Sequence, residues 1–530
     1  VGVLDTSARE KSVVIVGAGV AGLVAALLLS ARGARVTVLE RAASPGGKLR
    51  QVFPGGVPPA GVPSDGVPSD GVPSGGAAVD AGPTVFTLRA VWDEIFAEAG
   101  AAMPFALTPL PVLARHAWGA DRLDLFADTA RSAEAIGAFA GAAEARGYRA
   151  FCARARAIWD TLEAPYIRAD HPTPLSLAAG AGVSAMFRIA PFQTLWRALG
   201  EHFADPRLRQ LFGRYATYSG SSPFQCPATL MLIAHVEQSG VWSVVGGMHG
   251  IAAGLARLAT ERGAIVRLGV EATGIVARSG AVAGVRLADG ETVAADAVLF
   301  NGDVAALAGG LLGEPARRAV AAPGARSLSA VTWAIRAETE GFPLLRHNVF
   351  FGDDYPGEFD DVFRHGRPPR APTVYVCAQD RDTGEPDPAA PRGGPERLLC
   401  LINAPANGAS PEPEMRRCET AMRTLLARAG LTIRPGDQLR TGPAEWAELF
   451  PATGGALYGP AQHGWRASFS RPPARARMPG LYLAGGSAHP GPGLPMAALS
   501  GRFAARAILA DLASTSRSRP AAMSGGMSTR

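Results

Sequence analysis

Apolar runs along the chain set the first expectations. Val13–Val16 is four β-branched residues in a row, the pattern of a parallel strand buried on both faces. A small, apolar segment continues to about Ala31 as a helix. Gly33 stops it, and Val36–Leu39 forms a second strand ending on Glu40. Helical periodicity returns over Leu88–Ala99. From Ala101 to Gly240 the chain changes character, with helices expected at about 131–163, 191–203, 205–218 and 227–239, rich in aromatic and apolar residues. After Gly246-Gly247 the first pattern resumes. It predicts a helix at about 251–262 and strands at about 265–267, 271–277, 282–287 and 292–293, with Asp289-Gly290 as a hairpin turn. A strand follows over 298–301. Residues 304–474 mix helices with strands at about 328–336, 348–351, 372–377 and 397–403, a loop at 380–396 and a long helix at 412–429. The last strand lies in 480–485 and leads into a helix from about Met496 to Leu512.

Two segments fall outside this pattern. Residues 56–75 are near-perfect pentads (GVPPA, GVPSD, GVPSD, GVPSG), expected to form open turns without a core. They read as a surface insertion between Gly46-Gly47 and Val79–Thr84, two pieces that would otherwise lie close together. The tail, 514–530, is Ser/Gly/Met/Arg-rich and expected to be disordered.

At 530 residues, two domains or one elaborated domain are expected. The net charge is +6, yet lysine occurs only at 11 and 48, so the positive charge is scattered arginine. No basic run marks a nucleic-acid partner, and mild attraction to anionic membrane surfaces is the most this charge implies. The five cysteines (152, 226, 377, 400, 418) are widely spaced and form no metal or CxxC pattern, which fits a reduced, cytoplasmic setting. Val13–Ser30 is uncharged and could pass for a signal or a membrane span. Three glycines in six residues and the Arg-bounded strand after it argue against that. Gly182–Trp196 is apolar enough to touch a membrane face.

The candidate chemistry gathers at two glycine-rich turns. Gly17, Gly19 and Gly22 form G-x-G-x-x-G between a strand and a helix. Gly17 suits the tight turn, Gly19 admits a diphosphate to the backbone, and Gly22 lets helix and strand pack closely. The helix N-terminus faces the phosphates, and Glu40 is placed for the adenosine ribose hydroxyls. The second turn, Gly485-Gly-Ser-Ala-His-Pro-Gly-Pro-Gly-Leu-Pro495-Met496, again feeds a helix N-terminus. Two cradles at opposite ends of the chain imply a long ligand touched by both, which fits FAD better than NAD. His249, at a helix start, reads as capping or packing. No Ser/His/Asp set or carboxylate pair stands out. His489 is the only titratable side chain in the second turn and is a weak catalytic candidate, a structural role being the better fit.

These motifs, with Asp80-Ala-Gly-Pro-Thr84, Tyr218–Phe224, Gly240-Val-Trp242, Gly246-Gly-Met-His249 and Asn301 with Asp303, resemble the bacterial-type carotenoid desaturases within the amine-oxidase-like FAD enzymes. The likeness covers about residues 12–512. The Gly485–Met496 turn and Arg207–Tyr215 look like the 1-hydroxycarotenoid 3,4-desaturase (methoxyneurosporene dehydrogenase) branch. The resemblance implies an α/β fold: a Rossmann-like FAD-binding domain (12–100, 240–305 and 475–513) with an inserted α+β substrate and membrane-facing domain (101–239 and 306–474). It implies that Gly17, Gly19, Gly22 and Glu40 bind the ADP half of FAD. Gly47 and Lys48 would flank the phosphates and ribityl chain, with Thr84 in the same site. Ala272 would meet the adenine and Gly485 the diphosphate, and Pro495-Met496 would offer N–H to a flavin carbonyl. Ser487 stands where many FAD enzymes carry aspartate, which puts a side-chain contact to the ribityl chain in question. The implied reaction removes a hydride and a proton from neighbouring carbons of a lipophilic carotenoid, with oxygen or quinone as final acceptor, at the periphery of the inner membrane. Phytoene desaturation, carotenoid isomerisation and amine oxidation remain alternatives, as do a non-catalytic carotenoid carrier and an NAD(P)-dependent reductase.

Overall fold

Strand β1 (Ser12–Val16), helix α1 (Val20–Ala31) and strand β2 (Arg35–Glu40) form the expected βαβ unit. The computed structural model describes residues 11–55, 78–182, 189–381 and 393–517. The pentad repeats therefore lie outside the described residues, as do 183–188 of the apolar stretch, most of the 380–396 loop and the end of the tail.

β1 and β2 sit in a five-stranded sheet ordered Ile265–Leu268, β2, β1, Ala297–Phe300, Leu481–Leu483, with every neighbouring pair parallel. Helices cover one face, where Val13 and Ile15 point, and the three-stranded antiparallel sheet Ala272–Arg278, Ala281–Leu287, Thr292–Ala294 with two short helices covers the other, where Val14 points, which accounts for the unbroken apolar run. α1 is buried almost all round, packed between the helices Gly250–Glu261 and Leu494–Arg517. Gly501 permits the closest approach, since a Cβ there would strike the Ala21 carbonyl. The two pieces flanking the repeats meet as expected: Gln51 pairs antiparallel with Asp80 and Val52 with Val79.

A second, seven-stranded sheet is ordered Asp437–Thr441, Ser329–Ala337, Glu396–Ala404, Val374–Ala378, His347–Phe350, Val112–Trp118, Asp121–Phe126. All its pairs are antiparallel except His347–Phe350 with Val112–Trp118. Strand alternation gives it two faces. Leu398, Cys400 and Ile402, with Val374 and Val376, pack under the helix Glu412–Arg428 through Met415, Cys418 and Met422. Leu399, Leu401, Asn403 and Tyr375 point the other way, into a cavity.

Several expectations are corrected. Residues 107–126 carry three strands (Leu107–Pro109, Val112–Trp118, Asp121–Phe126) where the pattern gave none. Arg115, His116, Asp121 and Asp124 interrupt the apolar signal, and Arg115 pairs with Asp124 across the hairpin at 2.8 Å. The helix expected over 131–163 is two, Thr129–Ala140 and Ala142–Leu162, broken at Gly141 (φ +99°) and ending in the wider turn Glu163–Ile167. The next three helices are fragments. Leu195–Leu199 starts at its Thr194 cap, and Pro206–Gly213 starts at its Asp205 cap and tightens into the 3-10 turn Arg214–Ser219. Ala228–Met231 is a further 3-10 turn before Leu232–Gln238. The C-terminal helix starts at Leu494 and runs to Arg517, past the expected Leu512 end and into the segment read as disordered.

Candidate active site

The N-terminal turn is held from three sides. Gly17 N–H donates to Leu39 O (2.8 Å) and Asn301 N–H to Val16 O (2.8 Å), while Asn301 Nδ2 donates to Gly17 O (3.0 Å). Gly17 adopts φ +102°. A Cβ at Gly22 would overlap the Gly17 carbonyl and lie 2.6 Å from Asn301 Nδ2, so only glycine fits there. Asn301 is thus the residue the turn is built against, although the sequence showed it only as part of a polar cluster with Asp303.

Glu40 is 8 % exposed, and its carboxylate accepts from Ala18 N–H (2.7 Å) and Ala42 N–H (2.9 Å). Val270 N–H donates to the Glu40 carbonyl (2.8 Å), which brings Ala272 to the same end of the site. Gly46 N–H donates to Ala18 O (2.8 Å), laying Gly46-Gly47 along the turn. Lys48 is enclosed: Nζ donates to Leu457 O (2.6 Å) and lies 5.2 Å from the Phe450 ring centre. Burial pulls its ammonium pKa down, Asp303 opposes this and Arg471 adds to it. Asp80 closes the far side, accepting from Met248 N–H (2.7 Å) and His249 N–H (3.2 Å). His249 Nε2 pairs with Pro45 O (3.0 Å), in line with a packing role.

At the second turn, Gly485 N–H donates to Ser500 Oγ (3.1 Å). Ser487 Oγ accepts from Val304 N–H (3.0 Å), so this hydroxyl caps a helix. His489 is 5 % exposed, pairs through Nε2 with Ala169 O (2.8 Å) and packs between Tyr166 and Phe503. Burial lowers its pKa to about 4.

One cavity of about 1020 Å³ joins both turns. Gly17, Gly19, Glu40, Gly47, Lys48, Thr84, Ala272, Gly485, Ser487, Pro495 and Met496 line it. Gly22 and His489 are not among the lining residues, the first acting inside the helix–strand contact and the second in the turn's packing. Among the described residues no histidine lines the cavity. Among the described residues no group of His, Cys, Asp and Glu could hold a metal ion. Beyond Thr84 the wall becomes aromatic and aliphatic, through Trp159, Tyr166, Leu232 and Ile233, and reaches Phe192, which is 73 % exposed. Its polar side chains include Arg214, Tyr218, Glu237, Glu358, Tyr375 and Asn403. These come from five separate stretches, so no spacing rule could have gathered them.

The arrangement fits FAD. The diphosphate cradle is bare backbone, and a Cβ at Gly19 would meet Asn301 Nδ2 at 2.9 Å. Lys48 is a half-buried cation with no carboxylate in ion-pair range among the described residues, as suits a phosphate neighbour. The cavity also exceeds what an adenine nucleotide alone would fill.

Residues 177–509 match the flavin-containing amine oxidoreductase family, and residues 15–96 match an NAD(P)-binding Rossmann-like domain. The chain is 54% identical to a hydroxyneurosporene desaturase of Rubrivivax gelatinosus, over 98% of both chains. The chain belongs to the flavin-containing amine oxidoreductase family, in its carotenoid desaturase branch. It is an FAD-dependent oxidoreductase. It is also 44% identical to a hydroxyneurosporene desaturase of Cereibacter sphaeroides (95% of this chain, 99% of the other). A phytoene desaturase of Fusarium fujikuroi is more distant, at 25% identity over 95% of this chain and 90% of the other. The fold is shared with putrescine oxidase (TM-score 0.57, 14% identity, 94% and 99% coverage) and with cyclohexylamine oxidase of Brevibacterium oxydans (TM-score 0.54, 16% identity, 96% and 100% coverage).

Proposed function

We propose that this desaturase introduces the C-3,4 double bond into an acyclic 1-hydroxycarotenoid. The observation that supports it most is a single cavity that starts as a dinucleotide cradle and continues as a largely apolar passage to the surface, with no histidine or metal-binding cluster among the described residues that line it. A long apolar substrate and a cofactor that carries the chemistry suit that design. The names of the hydroxyneurosporene desaturases at 54% and 44% identity point the same way.

In this reading Gly17, Gly19, Glu40 and Ala272 hold the ADP half, with Gly22 allowing the turn, and Gly47, Lys48, Thr84, Gly485, Pro495 and Met496 hold the rest. Residues 12–100, 240–305 and 475–513 form the cofactor domain, and 101–239 with 306–474 the substrate domain. When bound, the flavin supplies the two-electron acceptor for the hydride removed from the allylic carbon. The aromatic and aliphatic walls exclude water and hold the polyene straight, so that two neighbouring carbons present their C–H bonds together. The proton leaves to a weak base or to a single water admitted at the polar wall, since loss beside an allylic cation needs no strong base. Phe192 lines the cavity and is 73 % exposed, Leu175 follows the lining residue Pro174 and is 81 % exposed, and this face rests on the cytoplasmic side of the inner membrane to receive substrate. Among the described residues no helix is long and apolar enough to cross a membrane. Oxygen or a quinone reoxidises the enzyme.

Anaerobic incubation of the FAD-loaded enzyme with a 1-hydroxylated acyclic carotenoid tests this. The expected result is one equivalent of product per flavin, two hydrogens lighter at C-3 and C-4. Conversion of phytoene but not of the hydroxylated polyene would overturn it.

A further inference from the structure

One wall of the apolar cavity is polar and keeps hydrogen-bonding capacity to spare. Arg214 begins the 3-10 turn Arg214–Ser219 and lines the cavity with Tyr218, Glu237, Tyr355 and Tyr375. Its Nη1 lies 3.3 Å from Tyr218 Oη, and its guanidinium carbon lies 5.3 Å and 5.4 Å from the ring centres of Tyr218 and Tyr375. Among the described residues it has no carboxylate in ion-pair range. A guanidinium carries five N–H donors, and one is spent here. Glu237 is a complementary acceptor: Oε1 takes the Tyr218 hydroxyl and Oε2 the Tyr215 hydroxyl, both at 2.7 Å. Each oxygen keeps a lone pair. Tyr355 Oη is buried without a partner on the same cavity. Enclosing such donors and acceptors beside hydrocarbon is costly unless a polar ligand atom completes them.

The position matters as much as the chemistry. Tyr375 Oη is 2.7 Å from Thr84 Oγ1, so a short chain of contacts (Arg214, Tyr375, Thr84) ties this cluster to the cofactor end. In a 1-hydroxylated polyene, C-3 and C-4 stand two and three bonds from the carbon bearing oxygen. The hydroxyl is then about 3–5 Å from the reacting carbons, at about 1.5 Å per bond. A hydroxyl subsite must therefore lie beside the cofactor end and not at the mouth, as this cluster does.

We propose that Arg214 and Glu237 form the subsite for the substrate hydroxyl, the guanidinium donating to its oxygen and the carboxylate accepting its proton. The subsite sets both the choice of a hydroxylated polyene and the register that brings C-3 and C-4 to the cofactor. It rests on the C-3,4 desaturase reading and adds the groups that decide specificity.

The test compares kcat/KM of the FAD-loaded enzyme in vesicles for a 1-hydroxylated acyclic polyene, its methyl ether and the same polyene without the oxygen. Wild type is expected to favour the alcohol over the deoxy compound by about 10- to 100-fold, the worth of a hydrogen bond to a charged group. Arg214→Gln should remove most of that preference by lowering turnover of the alcohol, leaving the deoxy polyene within about threefold, and Arg214→Lys should keep part of it. The ether retains the acceptor oxygen but has no proton for Glu237, so it should fall between the two in wild type and approach the alcohol in Glu237→Gln, whose neutral amide oxygen accepts more weakly. If Arg214→Gln fails to retain FAD, the ether series in wild type and Glu237→Gln decides. Equal use of all three polyenes by wild type, or a variant that slows them all alike, overturns the subsite while leaving the desaturase reading standing. Failure of wild type to desaturate any of them defeats that reading itself.

Discussion

Glu358 shows how a single buried group leaves a mark on the pH dependence of stability. It is 2 % exposed, accepts from Thr373 N–H (3.0 Å), Thr373 Oγ1 (2.7 Å) and Asn403 Nδ2 (2.7 Å), and lines the cavity. Burial pushes its carboxyl up to about 7, the hydrogen bonds and Arg214 pulling the other way. The native state thus holds a proton that the unfolded chain releases above pH ~4.5. Its contribution to stability is full below that pH and is lost as pH rises towards 7, by about 3 kcal/mol at about 1.4 kcal/mol per pKa unit. Glu358→Gln should flatten this slope, read as the urea midpoint at pH 5 and pH 8. An unchanged slope would show that Glu358 titrates normally. At this scale the sequence was uneven. Glu40 was legible because strand, turn and spacing fix it locally. Glu358, Arg214 and Tyr375 were not, because the cavity they share is assembled from separate elements, Arg214 lying more than a hundred positions from the other two. Asn301 was visible only as a polar residue at a strand end. Its function is to fill the space that Gly17, Gly19 and Gly22 leave empty.

Among the elements, the βαβ unit is where sequence and structure agree most closely, and the reason is steric. A Cβ at Gly22 would collide with Gly17 and Asn301, so the glycine pattern encodes the contact directly. Gly22→Ala is expected to weaken FAD retention by about 10- to 100-fold, since overpacking of this kind costs about 1–3 kcal/mol. Flavin-fluorescence titration of the apoprotein measures it, and wild-type affinity would contradict the placement. The helical layer was read less well. Apolar residues recur across 131–163 often enough to mimic one helix, and Gly141 cuts it at a positive φ. The Thr194 side-chain cap delays the next helix to Leu195, and both are local signals that hydrophobic periodicity does not register. The strands at 112–126 were missed for the opposite reason. Their charged pair, Arg115–Asp124, satisfies itself across a hairpin and hides the alternation.

For the whole molecule, the two sheets divide the labour. The parallel one holds the glycine turn. The mixed one turns one face to a covering helix and the other to the cavity, through the alternation of Leu399, Leu401 and Asn403 with Leu398, Cys400 and Ile402. Phe192 lines the cavity at the surface and Leu175, next to the lining residue Pro174, is exposed, so substrate exchange with a membrane should depend on them. Burying either side chain in lipid is worth about 1.5–3 kcal/mol. The double variant Leu175→Asp, Phe192→Asp should therefore lose at least about tenfold in vesicle co-sedimentation while retaining FAD, and unchanged partitioning would place the membrane face elsewhere. The central claim is that the cofactor cradle and the apolar passage serve one two-electron desaturation. Its most direct measurement is the anaerobic single turnover of the FAD-loaded enzyme with a 1-hydroxylated acyclic polyene, followed by product analysis. One equivalent of the 3,4-desaturated product per flavin is predicted, whereas no product from that substrate alongside desaturation of phytoene would contradict it.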